Sequence, residues 1–143
     1  MPERELHLER VVSAPPERVF AACVDAEALS EWWGPTGFTS TVKTLDARVG
    51  GQYRIAMQPP DGDAFHLRGE FRVVEPPERL DYTFAWEEPD PDDRETLVSL
   101  TFRAVPEGTL VVLDQGAFAT EARYDLHRDG WTDTLERLAL FLA

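Results

Sequence analysis

The sequence of 143 residues has one cysteine, Cys23, and no apolar run near the ~20 residues that a membrane-spanning helix needs. A single cysteine cannot form an internal disulfide, which agrees with a reducing compartment. We expect Cys23 to be a small buried side chain on a helix face. The charged first residues, Met1 to Glu5, contain no apolar signal core, so we expect a cytoplasmic protein without membrane insertion.

Positive charge is also scarce in this chain. It has 14 Lys and Arg against 27 Asp and Glu, which gives a formal net charge of −13. Binding to nucleic acid depends on clusters of Lys and Arg that neutralise phosphates, and the sequence contains no such cluster. An anionic membrane surface would repel the protein as well. We therefore expect neither nucleic acid nor a membrane as a partner.

Motifs for metal, cofactor or covalent chemistry are missing too. The acidic segment Glu87 to Glu95 does not have the spacing of a calcium loop, and its prolines favour a solvated loop between two strands. His7, His66 and His127 lie on separate predicted elements without metal-ligand spacing. No phosphate loop, nucleophile elbow or Cys/His pairing occurs. We expect no metal, no cofactor and no assigned catalytic residue.

What the chain does contain is an ordered series of periodic segments. Strand-like alternation is found at 5–13, 38–46, 52–58, 65–73, 80–86, 98–102 and 109–115. Pro15-Pro16-Glu17 is typical of the start of a helix, and Asp25 is a candidate N-cap for a second short helix. Successive strands joined by short turns predict an antiparallel sheet with one wet face.

A long helix is predicted from Thr120 to the end of the chain. Its apolar stripe holds Tyr124, His127, Trp131, Leu135, Leu138 and Leu142, and the opposite face holds Arg128, Asp129, Glu136 and Arg137. Gly130 costs up to ~1 kcal/mol in a helix, so we expect it to allow a close backbone approach, for example to a strand. The most economical packing curls the sheet around this helix, in one domain over residues 1–143.

The segment Trp32-Trp33-Gly34-Pro35 follows the second short helix and indicates binding. Tryptophan is large, and its indole N–H needs a partner when it is buried. Two adjacent tryptophans at a helix end place one ring inward and leave the other at a rim, an arrangement that suits the mouth of an apolar cavity. We expect Trp32 to be the inward ring.

Five segments in this order carry a resemblance to a known family: 14–20, 29–35, Gly50-Gly51, 76–80 and Gly130-Trp131. They resemble the AHSA1-like (activator of Hsp90 ATPase homologue 1-like) branch of the START/Bet v 1-like SRPBCC superfamily, over essentially the whole chain. The resemblance implies an α+β helix-grip fold: a curved antiparallel sheet of about seven strands around a long C-terminal helix, with two short helices after the first strand. It also implies a deep apolar cavity between sheet and helix.

The resemblance places the dry faces of the strands and of the long helix on the wall of that cavity. The apolar candidates are Trp32, Phe38, Met57, Phe71, Tyr82, Phe84, Trp86, Phe102, Trp131 and Leu135. The polar candidates that could orient a ligand are Tyr82, Gln115, Tyr124 and His127. In the alternative interpretation the rings fill one another as core, and the polar groups are a satisfied hydroxyl, a strand-end amide and two exposed helix residues.

These observations favour non-catalytic binding of a small hydrophobic ligand, since relatives bind lipids, sterols and polyketides. One alternative is a cyclase-like, aromatase-like or hydrolytic enzyme that uses the same cavity. Such chemistry needs acids or bases inside the cavity, whereas Arg68, Glu70, Arg72 and Asp81 fall on wet strand faces. His127 is then the group to test as a general base.

A second alternative is a protein-interaction domain of the co-chaperone kind. In the co-chaperones an additional amino-terminal domain precedes this one, whereas this chain begins directly with the first strand, which disfavours that alternative. Self-association into a homodimer, through a strand edge or the wet sheet face, is left open.

Overall fold

The structure is a computed structural model that describes residues 4–143. The first three residues, which begin the charged amino-terminal stretch and the expected domain, lie outside the described residues. The elements in chain order are β1 (Leu6–Val12), α1 (Pro16–Val24), α2 (Ala26–Trp32), β2 (Thr39–Leu45), β3 (Gln52–Gln58), β4 (Phe65–Glu75), β5 (Arg79–Trp86), β6 (Thr96–Val105), β7 (Gly108–Gly116) and α3 (Glu121–Leu142).

The strands form one seven-stranded antiparallel sheet in the order β1-β7-β6-β5-β4-β3-β2. The register shifts between Val42 and Thr44 in β2 and between Phe71 and Val73 in β4. Such irregularities bend a strand and increase its twist, which curves the sheet. Because β1 and β2 lie at opposite edges, α1 and α2 lead the chain from one edge to the other. The predicted helix-grip architecture is confirmed.

Side-chain caps set the starts of two helices where the sequence predicts them. The Asp25 carboxylate accepts a hydrogen bond from the amide of Ala28 (2.9 Å), and the Thr120 hydroxyl accepts one from the amide of Arg123 (3.1 Å). Each cap satisfies an amide that lacks a partner in the first turn of a helix. α3 then runs for 22 residues and buries His127, Trp131, Thr134, Leu135, Leu138 and Leu142. No helix in residues 4–143 combines the length and apolar character of a membrane crossing.

β3 has its predicted bounds, and β1 and β2 are one residue shorter than predicted at each end. β4 to β7 extend beyond their predicted bounds, because ladder pairing continues past the alternating side chains. β6 and β7, for example, pair from Leu97 opposite Gly116 to Val105 opposite Gly108. Asp81 of β5 was expected on a wet face, yet it is buried. It accepts hydrogen bonds from Arg79 and from the Ser99 hydroxyl, which satisfy the carboxylate there.

Part of the core lies between the two short helices and the sheet. The rings of Phe20 and Phe102 meet edge to face at 5.7 Å between centroids. Cys23 is buried as expected, and burial raises the pKa of its thiol to about 12. The thiol is therefore neutral at physiological pH and serves as a small apolar group.

Candidate functional site

A cavity of about 380 Å³ lies between α3 and the inner faces of β3, β4 and β5. Its volume is near the lower end of the roughly 300–1,000 Å³ range of small-molecule pockets. The apolar part of its wall is built from Trp33, Pro35, Phe38, Met57, Phe65, Phe84, Trp86, Leu126 and Trp131. The other lining residues are Gly34, Glu88, Asp90, Asp93, Arg123, His127, Gly130 and Thr134.

The rings of the wall pack against one another edge to face. Trp33 meets Trp131 at 5.1 Å between ring centroids, and Trp86 meets both Phe65 and Phe84 at 5.2 Å. Offset and edge-to-face geometries are the favourable ones for aromatic pairs. Each ring is therefore held in its orientation by its neighbours.

Trp33 lines the cavity, whereas Trp32 does not. Trp32 is the last residue of α2 and is 2% exposed, with its indole N–H donating to the carbonyl of Ala22 (3.0 Å). Trp33 is 6% exposed, and its extended backbone turns its side chain to a different side from that of Trp32. The expectation that Trp32 lines the cavity was wrong, and so was the expected rim position, because both rings are buried.

The Arg137 guanidinium holds the Trp33–Pro35 segment against α3. It donates to the carbonyls of Glu31 (3.1 Å), Trp33 (3.0 Å) and Gly34 (2.9 Å), and it lies 3.3 Å from that of Pro35. The expectation that Arg137 lies on the face opposite the apolar stripe was wrong, because it follows the cavity-lining Gly130 by two helical turns. Its long side chain satisfies carbonyls left free where α2 ends.

Two of the indole N–H groups find protein acceptors and two do not. Trp131 donates to the Gln115 side-chain oxygen (2.7 Å), and Gln115 in turn donates to the Thr96 hydroxyl (2.8 Å), so Gln115 orients Trp131 from behind the wall. Trp32 is paired as described. Within residues 4–143, the indole N–H groups of Trp33 and Trp86, both on the cavity wall, make no hydrogen bond.

His127 is a polar side chain enclosed by aromatic rings. It is 8% exposed and stacks on Phe118 at 4.8 Å, with Phe84 at 5.4 Å and Trp86 at 6.1 Å. Burial, and then the charge of Arg123, lower the pKa of its imidazole to about 4. The ring is neutral at pH 7, with one donor and one acceptor nitrogen, and it makes no hydrogen bond within the described part of the chain. The alternative of an exposed His127 was wrong.

The acidic loop 87–95 is attached to α3 through Arg123, so it is not simply solvated as expected. The Arg123 guanidinium contacts Asp90, lies 3.0 Å from Asp92 and 3.4 Å from Asp93, and is 16% exposed. Asp92 also accepts from the Thr120 hydroxyl (2.9 Å), and that bond, followed by Arg123, lowers the pKa of Asp92. The exposed lining residues Glu88, Asp90 and Leu126 mark the open edge of the cavity.

The structure brings together only part of the predicted site. Phe38, Met57, Phe84, Trp86, His127 and Trp131 line the cavity. Trp32, Phe71 and Tyr82 instead surround a void of about 20 Å³ next to the short helices. Phe102 packs on Phe20, Leu135 is core, Gln115 supports Trp131, and Tyr124 is half-buried beside Phe118. These side chains lie on the same buried faces of the sheet and helices, but other residues separate them from the cavity.

Some cavity-lining residues outside the predicted site could have been found from the periodicity of the sequence. Phe65 belongs to the dry alternation of its strand, and Gly130 and Thr134 follow His127 at helical spacing. Gly130 was expected to permit a close backbone approach, and that was wrong. A Cβ built there meets only the Pro35 ring, at 3.8 Å, so the position faces open space.

Potential ligand atoms of His66, Glu87 and Glu88 lie within 4.8 Å of one another. These atoms already have partners: Glu87 accepts two hydrogen bonds from Arg54 (2.8 and 3.0 Å), and Glu88 lies 2.9 Å from the His66 ring. The hydrogen bond with His66 also lowers the pKa of Glu88. We interpret the group as a surface ion-pair network that anchors the acidic loop to β3 and β4.

The curved sheet that encloses a long C-terminal helix, with an apolar cavity between them, defines the helix-grip class of START/Bet v 1-like domains, a class of ligand-binding domains. Residues 13–143 match the family described as "Activator of Hsp90 ATPase homolog 1-like protein", and the chain belongs to that family.

Solved structures support the assignment. A protein from Chromobacterium violaceum shares 30% identity at a TM-score of 0.89, covering 97% of this chain and 96% of its own. An AHSA1 protein from Silicibacter pomeroyi shares 29% identity at a TM-score of 0.81, covering 95% of each chain. A protein from Mycobacterium smegmatis, at 22% identity and a TM-score of 0.83 over 99% of this chain and 91% of its own, shares the fold. A search among curated proteins found no match.

Proposed function

We propose that this protein binds a small hydrophobic molecule, without a covalent step, in the cavity between α3 and the sheet. The observation that carries the proposal is the cavity itself, about 380 Å³ of space walled by six aromatic rings. Protein interiors are normally packed to crystal-like density. A space of this size, open at one edge, is therefore the default binding site of the domain.

Unpaired polar groups on the wall support the same proposal. The imidazole of His127 and the indole N–H groups of Trp33 and Trp86 make no hydrogen bond to the rest of the described chain. None of these nitrogens is sealed in the core, since Arg10 Nε is the one fully buried side-chain polar atom without a partner in the described part of the chain. They are accessible on the cavity wall, where a ligand with a matching polar group would be oriented by them.

Gly130 gives a third line of support. Glycine in a helix costs ~1 kcal/mol relative to alanine, and an alanine Cβ would fit, since its one neighbour would be Pro35 at 3.8 Å. The missing side chain therefore leaves the cavity wider than an ordinary helix residue would.

The direct test is native mass spectrometry of the protein purified gently from its own host, followed by solvent extraction. We expect a retained hydrophobic species, and we expect Gly130→Leu, which fills the space, to lose it. Thr132→Leu, on the exposed face of the same helix, is the matched control and should retain it. Equal retention by both variants would contradict a site in this cavity.

One observation favours the enzymatic alternative, a cyclase-like or hydrolytic activity. His127 is a neutral imidazole inside the cavity, where it could take a proton. Its pKa of about 4 makes it a weak base at pH 7, since general bases work best near the operating pH. Chemical conversion of the extracted molecule by the wild type, abolished in His127→Gln, would establish this alternative.

A further inference from the structure

We propose that the ligand is a hydrophobic amine in its protonated form, with its apolar body among the aromatic rings and its ammonium group at the open edge of the cavity. This inference rests on the proposed function and specifies its ligand class. Three observations carry it: the ring wall, the charges at the open edge, and the unpaired His127.

The ring wall suits a cation. The cavity is lined by the rings of Trp33, Phe38, Phe65, Phe84, Trp86 and Trp131. The face of an aromatic ring carries negative charge density and attracts a cation, and tryptophan does so best. A wall of this composition can hold an apolar body and stabilise an adjacent ammonium group at the same time.

The charges at the open edge have one predominant sign. The carboxylates of Glu88, Asp90 and Asp93 line the cavity, and Arg123 is the basic lining residue in the described part of the chain. That guanidinium is already shared among the loop aspartates 90, 92 and 93. An anionic ligand would meet carboxylates and a cation that is already neutralised. A cationic ligand would meet three lining carboxylates and only one lining guanidinium among residues 4–143, so the charge at the open edge would attract it.

His127 provides a hydrogen-bonding group without opposing charge. It is more than nine-tenths buried, lines the cavity and has no partner within the described residues. Because burial lowers its pKa to about 4, its ring is neutral at pH 7 and can accept a hydrogen bond from an ammonium group. A protonated imidazole at this position would instead repel a cation.

The volume sets the size of the ligand. If each non-hydrogen atom takes up about the ~30 Å³ share of a water molecule, 380 Å³ holds on the order of a dozen such atoms. A naphthalene ring with a two-carbon side chain is of that size. This skeleton can carry an amine, an alcohol or an acid, which allows charge to be varied at nearly constant shape.

The experiment measures the affinity of the intact protein for 2-(1-naphthyl)ethylamine, 2-(1-naphthyl)ethanol and 1-naphthylacetic acid by titration calorimetry at pH 7 and low salt. We expect the amine to bind at least about tenfold more tightly than the acid, with the alcohol between them, and added salt to reduce the difference. The acid binding as tightly as the amine, or more tightly, would overturn the inference. Equal binding of all three would overturn it while leaving the proposed function intact. Binding of none would contradict both.

A variant pair locates the charge effect. Glu88→Gln removes a carboxylate at the open edge that is paired with His66 and not with Arg123. We expect it to weaken amine binding several-fold more than alcohol binding. Glu107→Gln makes the same change of charge in the β6–β7 turn, at the opposite end of β6 from the acidic loop, and should change neither affinity. Equal losses in both variants would show an effect of overall charge and would overturn the proposed position of the ammonium group.

Discussion

His127 shows at the scale of single residues how helix geometry creates a site. It lies one turn before Trp131 on the buried face of α3, so the same periodicity that places leucines in the core places an imidazole among rings. Its ring neighbours are Phe84, Trp86 and Phe118, and none of these side chains can form an ion pair with a protonated imidazole. The fold therefore favours the neutral form of His127.

His127 should make the protein less stable in mild acid. Its pKa is 6.5 in the reference state and about 4 when folded, so the unfolded chain binds more protons between these values. Stability is therefore lost as the pH falls through this window, by about 2 kcal/mol between pH 7 and pH 5. Urea unfolding of wild type and His127→Gln at both pH values checks this, since the variant should lose less.

His7 is the control for that measurement, because its pKa shifts in the opposite direction. Hydrogen bonds to Asp114 and then Glu9 raise the pKa of this exposed histidine. His7→Gln should therefore not reduce the loss of stability in acid. If His127→Gln kept the full wild-type loss, His127 would not be a buried neutral imidazole.

Phe84→Ala should weaken ligand binding and also destabilise the fold by about 3–5 kcal/mol. The ring is buried and contacts Trp86, His127 and Trp131. Phe102→Ala removes an equally buried ring that packs on Phe20 outside the cavity, so it should cost similar stability but leave affinity unchanged. Thermal unfolding and ligand titration of both variants separate the two effects, and unchanged affinity in Phe84→Ala would contradict its place in the site.

At the scale of elements, one face of α3 carries several of the residues that shape the cavity and hold its wall in place. Arg123 at its start holds the acidic loop, His127 and Gly130 face the space, and Arg137 near its end holds the segment after α2. The helix thus fixes the two non-repetitive segments of the wall, one at each end. Changes in α3 should therefore affect binding more than changes in any one strand.

Gly130→Ala should raise stability while weakening binding. Alanine removes the helix penalty of glycine, up to ~1 kcal/mol, and its Cβ meets only Pro35 at ordinary contact distance. The added methyl group takes space from the ligand. Thermal unfolding and calorimetric titration measure the two effects, and Thr132→Ala on the exposed face should leave affinity unchanged. A less stable Gly130→Ala would show that the position has no room.

Arg137→Gln should loosen the wall at Trp33. Its loss leaves carbonyls of residues 31–35 without a donor, at a cost of about 1–3 kcal/mol. Hydrogen exchange of the Trp33 and Gly34 amides should become faster, and ligand affinity should fall. Arg128→Gln, which breaks exposed pairs with Asp125 and Asp129 and a contact with the Tyr124 ring (5.9 Å), should change stability by less than about 0.5 kcal/mol. Unchanged exchange in Arg137→Gln would contradict the positioning role.

Local rules predict the elements well and the site only in part. Alternation, proline at α1 and the cap Asp25 act over a few residues, so they can be read along the chain. The contact of Arg123 with the loop joins residues about thirty apart, and no periodicity marks it. Trp33 lines the cavity and Trp32 does not, because the backbone changes from helical at Trp32 to extended at Trp33. Each of these features depends on tertiary packing, which a single sequence does not display.

At the scale of the whole molecule, the net charge of −13 and the charge at the open edge of the cavity have the same sign. The overall field should therefore draw cations toward the cavity at low salt. A cytoplasmic location and a homodimer stay predictions.

Ligand binding should stabilise the whole domain. At a free concentration one hundred times Kd, a ligand that binds only the folded chain adds about 2.7 kcal/mol to the free energy of unfolding. Thermal unfolding of the emptied protein with the extracted molecule added back measures this. The gain should disappear in Gly130→Leu, whereas a gain retained in that variant would place the ligand elsewhere.

The sheet order has a consequence for how the chain reaches its native state. β1 pairs with β7, so Leu6 meets Gln115 across more than one hundred intervening residues. Strands of such separation close late, since the entropy of a long loop must be overcome first. The hairpins from β2 to β7 can assemble from neighbouring segments, while β1 must wait through most of synthesis. Folding should therefore be slow for a domain of this length, with the docking of the first strand as its last large step.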